Sequence, residues 1–359
     1  MAKINDDLDL MLKNFVVRNV KDDYISTGNL ILDKFLSGSD LYDNSSGGFI
    51  RGKLYSFTGD SGVGKSTLMM YFSSIFCRDG YKVLYVDTEN GINENILVGY
   101  GLDKYFINDL KDYKKDCGNF LVLSNVTFSD FVDILKKMYE NDYYYDIIII
   151  DSLKNLKSKY LYNIDDIEQL PIGHEARIME NFLPFMSNFC SKNNVLGIFV
   201  NQIRVSMKNM IAVSGEVRVN SFLYNMDFRF MLKEVKNGEI VSEIITNKGD
   251  KNVKKIGAWV RFEVMKGRGI KYKYLDIPLI YGKGISYVYL LYAYLVNSGL
   301  LEEVKGNKIM DLSKLSGIIE DVDMKVKGYE IFNVIKNNVE RIEKYLLDNK
   351  IIYIEIEKD

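Results

Sequence analysis

Gly59-Asp60-Ser61-Gly62-Val63-Gly64-Lys65-Ser66 is the stretch on which the fold turns. It fits G-x-x-x-x-G-K-[ST] at every fixed position, follows directly on the apolar segment Leu54-Tyr55-Ser56-Phe57-Thr58, and runs into the amphipathic stretch 66–76. That strand, loop and helix context gives the pattern its meaning. Glycines let the backbone curl so that successive N–H groups point inward, and the helix that follows adds its positive end, which makes the loop a cradle for phosphate. Lys65 is expected to neutralise the terminal phosphates and Ser66 to ligate Mg²⁺, with Gly59, Asp60, Ser61, Gly62, Val63, Gly64 and Thr67 completing the nucleotide contacts. The alternative is a chance glycine-rich turn.

Outward from the loop, apolar runs of strand length alternate with helical patterns. After a helix over 65–77 come VLYV at 83–86, FLVL at 120–123, a helix over 128–140, IIII at 147–150, a helix over 175–191 and LGIFV at 196–200. Short apolar strands separated by helices are what a parallel sheet covered on both faces requires, because each strand must bury side chains pointing both ways. The expected fold is therefore α/β, a central and mostly parallel sheet flanked by helices. Two of these strands end in acids on the same edge of the sheet: Asp151 after IIII, and Asp87 with Glu89 after VLYV. Asp151 is expected to hold magnesium through water beside Ser66. Glu89 is the candidate general base for an attacking water, and its alternative is a solvated loop acid.

Beyond residue 200 strands at 227–232, 239–245, 258–265 and 272–282 follow one another without helices, which predicts an antiparallel extension of the sheet. From 287 the pattern is helical again. Residues 1–32 read as a short N-terminal helix and linker, a candidate subunit contact; 33–284 as the core; and 285–359 as a small, mostly helical C-terminal domain. Residues 37–48 read as a surface loop.

With 359 residues, 47% of them hydrophobic, the chain can bury a large core. A formal net charge of −2 excludes a generally basic protein, so any nucleic-acid contact must be local. The 3 cysteines, Cys77, Cys117 and Cys190, have no zinc-like spacing and are odd in number, which reads as reduced thiols in a cytoplasmic protein. The acidic N-terminus lacks the basic start and apolar run of a signal peptide, and no apolar run reaches membrane-spanning length. No membrane partner is expected.

In this order the residues resemble the RecA recombinases, including the phage UvsX branch, over about residues 24–286. Ile25-Ser26-Thr27-Gly28-Asn29-Leu30-Ile31-Leu32-Asp33 is similar to the family segment ahead of the phosphate loop, and Asp87-Thr88-Glu89 puts Glu89 at the family's catalytic glutamate. The most specific piece is Phe199-Val200-Asn201-Gln202-Ile203-Arg204. The resemblance implies a RecA-type ATPase core that uses ATP and Mg²⁺. It implies that Gln202 senses the γ-phosphate and reports it to a second DNA-binding loop over 203–220, which carries Arg204, Lys208 and Arg218 among Met207 and Met210. Positive side chains suit a phosphate backbone and flexible apolar ones can wedge against bases; the alternative is a solvated connecting loop. Ile172-Gly173-His174-Glu175-Ala176-Arg177 resembles the first DNA loop running into its helix, which makes Arg177 a further DNA candidate and leaves His174 as a loop residue.

Phe262-Glu263-Val264-Met265-Lys266-Gly267-Arg268 resembles the family segment whose basic residues contact the ATP of an adjacent subunit. This implies that Lys266 and Arg268 act in trans and that hydrolysis depends on assembly; the alternative is two exposed charges after a strand. Departures are Ile96, where the family has an aromatic residue on adenine, Gly215 as the one glycine kept near the end of the second loop, and Pro184 where some relatives are basic. The implied function is a DNA-dependent ATPase that coats single-stranded DNA as a helical filament, pairs it with duplex DNA and exchanges strands in recombination and repair, in a bacterial or phage-infected cytoplasm. Single-strand-binding and mediator proteins are further candidate partners. A hexameric RecA-fold helicase and an ATP-switch mediator without strand exchange stand as alternatives.

Overall fold

The computed structural model describes residues 23–38, 47–114, 117–157, 174–202, 204–208, 211–215, 220–245, 251–304, 309–319, 325–327 and 330–348. The helix expected over 5–20, most of the loop at 37–48, and Arg218 lie outside these residues.

The chain opens with β1 (Tyr24–Ile25), α1 (Leu30–Ser37) and β2 (Phe49–Ile50), the two strands pairing antiparallel. The expected alternation follows: β3 (Leu54–Gly59), α2 (Lys65–Arg78), β4 (Lys82–Asp87), α3 (Glu94–Tyr100), β5 (Asn119–Ser124), α4 (Phe128–Glu140), β6 (Ile147–Asp151), α5 (His174–Asn193) and β7 (Leu196–Gln202). Then come β8 (Arg204–Lys208), β9 (Ile211–Gly215), α6 (Asn220–Asn225), β10 (Phe228–Ile245), β11 (Lys251–Lys266), β12 (Tyr274–Ile280) and β13 (Gly284–Ile285). The C-terminal part consists of α7 (Tyr287–Asn297), β14 (Glu302–Val304), β15 (Ile309–Asp311), β16 (Lys325–Lys327), α8 (Ile331–Asn337) and α9 (Val339–Asp348).

A nine-stranded sheet in the order β13-β12-β11-β10-β3-β7-β6-β4-β5 is the frame. From β10 to β5 the neighbours are parallel; β11, β12 and β13 add on antiparallel. Side-chain alternation fills both faces. Ile147 and Ile149 join one buried cluster with Val83, Tyr85, Tyr55 and Phe57 beneath α2, while Ile148 and Ile150 join the other with Leu84, Val86 and Leu54 beneath α4 and α5. The first cluster runs on without a break into α7, α8 and α9, so the C-terminal elements share the main core. Phe49 meets Tyr55, Phe72 and Phe76 edge-on within it, a geometry that adds about 1 kcal/mol per pair beyond area burial.

Local signals fix the helix ends that matter for the site. Thr127 and Asp130 close a reciprocal capping box on α4, worth about 1 kcal/mol. Gly64 precedes α2 with φ +95°, so the backbone demands glycine, and a Cβ there would lie 2.1 Å from Leu279 Cδ2, a methyl that would have to shift.

Three expectations change. The strands expected at 227–232 and 239–245 are one strand, β10, whose register against β11 shifts between Glu234 and Glu239 around Asn237, at φ +59°. A bulge keeps a strand going through residues that read as a turn. That strand is also parallel to β3 rather than antiparallel, because the chain crosses through α6 before re-entering the sheet. Finally, the C-terminal part carries a three-stranded antiparallel sheet, β14-β15-β16, beside its helices.

Candidate active site

Register brings the ends of the parallel strands to one edge of the sheet. Gly59 pairs with Gln202 across β3 and β7, and Asp87 pairs with both Asp151 on β6 and Ser124 on β5. Every candidate from the phosphate loop, Asp151, Glu89 and Gln202 therefore sits at one carboxyl edge, where open α/β sheets place their ligand crevices.

The phosphate loop leaves β3 at Gly59 and enters α2 at Lys65. Asp60, Ser61, Gly62 and Ser66 are exposed along it and Val63 is buried. The Lys65 ammonium folds back over the loop, donating to the carbonyl of Gly59 at 2.9 Å and of Asp60 at 2.7 Å. Burial pulls its pKa below the usual lysine range, against the attraction of Asp151, Glu89 and Asp60. Thr67 is hydrogen-bonded to the Tyr100 hydroxyl, which ties the first turn of α2 to the end of α3.

Asp151 is buried at the tip of β6. Its carboxylate accepts from the Ser66 hydroxyl and, at Oδ2, from the Tyr85 hydroxyl at 2.7 Å. Burial raises its pKa, the two hydroxyls oppose that rise, and the charges of Glu89 and Asp87 add to it. A serine hydroxyl and a carboxylate in contact form an oxygen donor pair suited to Mg²⁺. The peptide between Asp151 and Ser152 is cis. Asp87 and Thr88 shape the neighbouring loop, each with its own task. Asp87 accepts from the N–H groups of Glu89 and Ile92 and so builds the turn, while the Thr88 hydroxyl exchanges bonds with the backbone of Ser152 and fastens the ends of β4 and β6 together.

Glu89 emerges from that turn, where its Oε1 accepts from Gln202 Nε2 at 2.8 Å, Asn155 Nδ2 at 3.0 Å and Ser152 Oγ at 3.2 Å. Gln202 Oε1 in turn accepts from Lys154 Nζ at 3.3 Å. Glu89 is exposed, and its carboxylate is at the same time held by these three donors. Tyr85, Lys154 and Asn155 were not singled out in the sequence. Lys154 and Asn155 follow the strand ending at Asp151 by three and four positions, and that spacing past a sheet-edge acid is the signal that could have found them.

The remaining candidates lie elsewhere on the chain. Arg177 is exposed on the first turns of α5, and Pro184 lies inside the same helix. Arg204 and Lys208 lie on β8, which pairs with β9 as a hairpin in place of an unstructured loop; their side chains, Arg218 and the His174 ring are outside the described residues. Polar and apolar residues alternate from Arg204 to Met207, which is the strand signal in this stretch. Arg268 is exposed in the turn after β11. Lys266 is engaged within its own chain: its ammonium donates to the carbonyls of Met226 at 2.6 Å, Tyr224 at 3.1 Å and Leu223 at 3.3 Å, gripping the C-terminal end of α6. Burial lowers its pKa.

The family model for the RecA N-terminal domain matches residues 10–286. Among curated relatives, the protein RecA of Mycoplasma mycoides subsp. mycoides SC is 27% identical over 282 residues, covering 77% of this chain and 73% of its own length. The protein RecA of a Sulfurovum species is 24% identical over 323 residues, with 84% and 82% covered. That of Limosilactobacillus reuteri is 24% identical over 269 residues, with 73% and 64% covered.

Proposed function

The chain belongs to the RecA family and is a RecA-type recombinase, and from that premise we propose that it is a DNA-dependent ATPase that assembles as a helical filament on single-stranded DNA and exchanges strands with homologous duplex. The observation that carries the catalytic half of this reading is the convergence of Lys65, Ser66 with Asp151, and Glu89 with Gln202 at one sheet edge.

Each residue then has a task that its surroundings support. Lys65 gives up two loop carbonyls for phosphate oxygens, a like-for-like exchange of acceptors around an ammonium that burial has already stripped of water. Ser66 and Asp151 are the residues that would hold Mg²⁺, which supplies charge neutralisation at the phosphates when bound. Glu89 orients the attacking water and takes its proton at a carboxylate oxygen. Gln202 stands between that carboxylate and the start of the hairpin β8–β9, so a change in its partners reaches Arg204 two residues further on. Arg177, Arg204, Lys208 and Arg218 would contact DNA phosphates; Arg268 would act on the nucleotide of the adjoining subunit, and Lys266 would join it once it releases α6.

Electron microscopy of the protein with single-stranded DNA, magnesium and a slowly hydrolysed ATP analogue tests the assembly. Continuous helical filaments that track the DNA are the expected result; closed rings or unassembled particles would overturn it.

A further inference from the structure

We propose that Lys154 is a positioning residue of the ATPase site, one that fixes which end of the Gln202 carboxamide faces the reacting centre. The inference rests on the ATPase reading of Glu89 and Gln202. A glutamine side chain has two nearly isosteric orientations, and turning it over exchanges two N–H donors for a carbonyl acceptor. Here its two neighbours leave no ambiguity. Lys154 is an ammonium that can only donate, and it meets Oε1 at 3.3 Å; Glu89 presents a carboxylate oxygen to Nε2 at 2.8 Å. Either contact alone favours one orientation, and together they oppose the flip at both ends with charge-assisted bonds.

The consequence is chemical. Nε2 carries two hydrogens, one of them directed at Glu89, and an anionic phosphate approaching the same edge needs the other. A flipped glutamine would present its carbonyl to both anions. By holding Oε1, Lys154 keeps the donor end on the anionic side of the site, while Asn155 Nδ2 at 3.0 Å and Ser152 Oγ at 3.2 Å hold Glu89 at the same Oε1 that Gln202 meets. All three of these residues come from the segment immediately after β6, whereas Glu89 follows β4 and Gln202 ends β7. The turn beyond Asp151 thus braces two catalytic groups that come from different strands.

The test uses the full-length protein. Lys154→Met keeps the length of the side chain and removes its donor; DNA-stimulated hydrolysis should fall about tenfold in kcat with KM for ATP within about twofold, the loss expected for one charge-assisted hydrogen bond. Lys154→Arg should restore most of the rate. In a Gln202→Ala background Lys154→Met should change nothing further, because the group it acts through is gone. An unchanged kcat, a loss confined to KM, or an equal loss in both backgrounds would each overturn the proposal. Wild-type protein that hydrolyses no ATP would remove the ATPase reading instead. The Lys154 contact would still be decided by the Gln202 side-chain amide signals of protein labelled with ¹⁵N-glutamine, which should shift in Lys154→Met; signals that stay in place would overturn it.

Discussion

Gln202 Nε2 lies 2.8 Å from Glu89 Oε1, a hydrogen bond that joins the end of β7 to the turn after β4 across the intervening β6. The two residues are far apart in sequence and share no local motif. Their contact exists because parallel register sets Gln202 level with Gly59 and Asp151 level with Asp87, with the end of β7 reaching two residues further than that of β6, so that side chains leaving different strand ends meet at the sheet edge.

Substituting the acid in this pair separates binding from turnover. Glu89→Gln keeps the shape and removes the base, so ATP hydrolysis should drop by roughly 10²–10⁴-fold while titration with a fluorescent ATP analogue shows nucleotide binding retained. Hydrolysis that stays at the wild-type rate would remove Glu89 from catalysis.

Tyr85 supports Asp151 from beneath the sheet edge, its hydroxyl 2.7 Å from Oδ2 and its ring fully buried. Tyr85→Phe deletes the donor without opening a cavity. Stability should fall by about 1–2 kcal/mol, the usual cost of losing a hydrogen bond to a buried charged group. The magnesium concentration that half-saturates nucleotide binding should rise about tenfold, as for other residues that orient a metal-facing carboxylate. An unmoved magnesium midpoint would separate Asp151 from the metal.

Lys266 offers a test that needs no DNA. Three carbonyls at the end of α6 receive its ammonium, an arrangement worth about 1 kcal/mol at a helix C-terminus. Lys266→Met should therefore lower the melting temperature of the unassembled protein, while Arg268→Met, at an exposed position, should leave it unchanged. Equal melting temperatures for wild type and Lys266→Met would show that the grip on α6 contributes nothing.

Asp33 gives the chain a pH dependence with a defined sign. It accepts from the Thr27 N–H and hydroxyl, each at 2.6 Å, and from the Ser26 hydroxyl, yet burial raises its pKa to about 6. A folded-state pKa above the unfolded value means that protonation favours the native state: this group's contribution is complete below the unfolded value and is lost as pH rises through about 6. Between pH 7 and pH 5 the gain on acidification is about 1 kcal/mol. Denaturant midpoints at the two pH values should differ less in Asp33→Asn than in wild type; an identical difference in both would place the titration elsewhere.

Much of the scaffold is legible locally. The strand lengths, the helices over 65–77 and 128–140, and the phosphate loop all follow from period-two and helical patterns interrupted by glycines. Where reading along the chain failed, the determinant was not local. The bulge around Asn237 reads as a break because only the partner strand shows that pairing resumes. The pairing of β8 with β9 is hard to read from the sequence because its alternation is short and the surrounding residues suit a loop.

By itself the sequence determined which groups are available: an ammonium and a hydroxyl at the head of α2, acids at the ends of two strands, an amide at the end of a third. Those are properties of single segments, set by the chemistry of a few adjacent residues. Tertiary structure alone decided that Glu89 takes Gln202 and Asn155 as partners, that Tyr85 holds Asp151, that Lys154 reaches Gln202, and that Lys266 grips α6. Each of those contacts depends on strand order, on register and on the direction in which a side chain leaves its strand, and these are fixed only when the whole sheet closes its two buried faces.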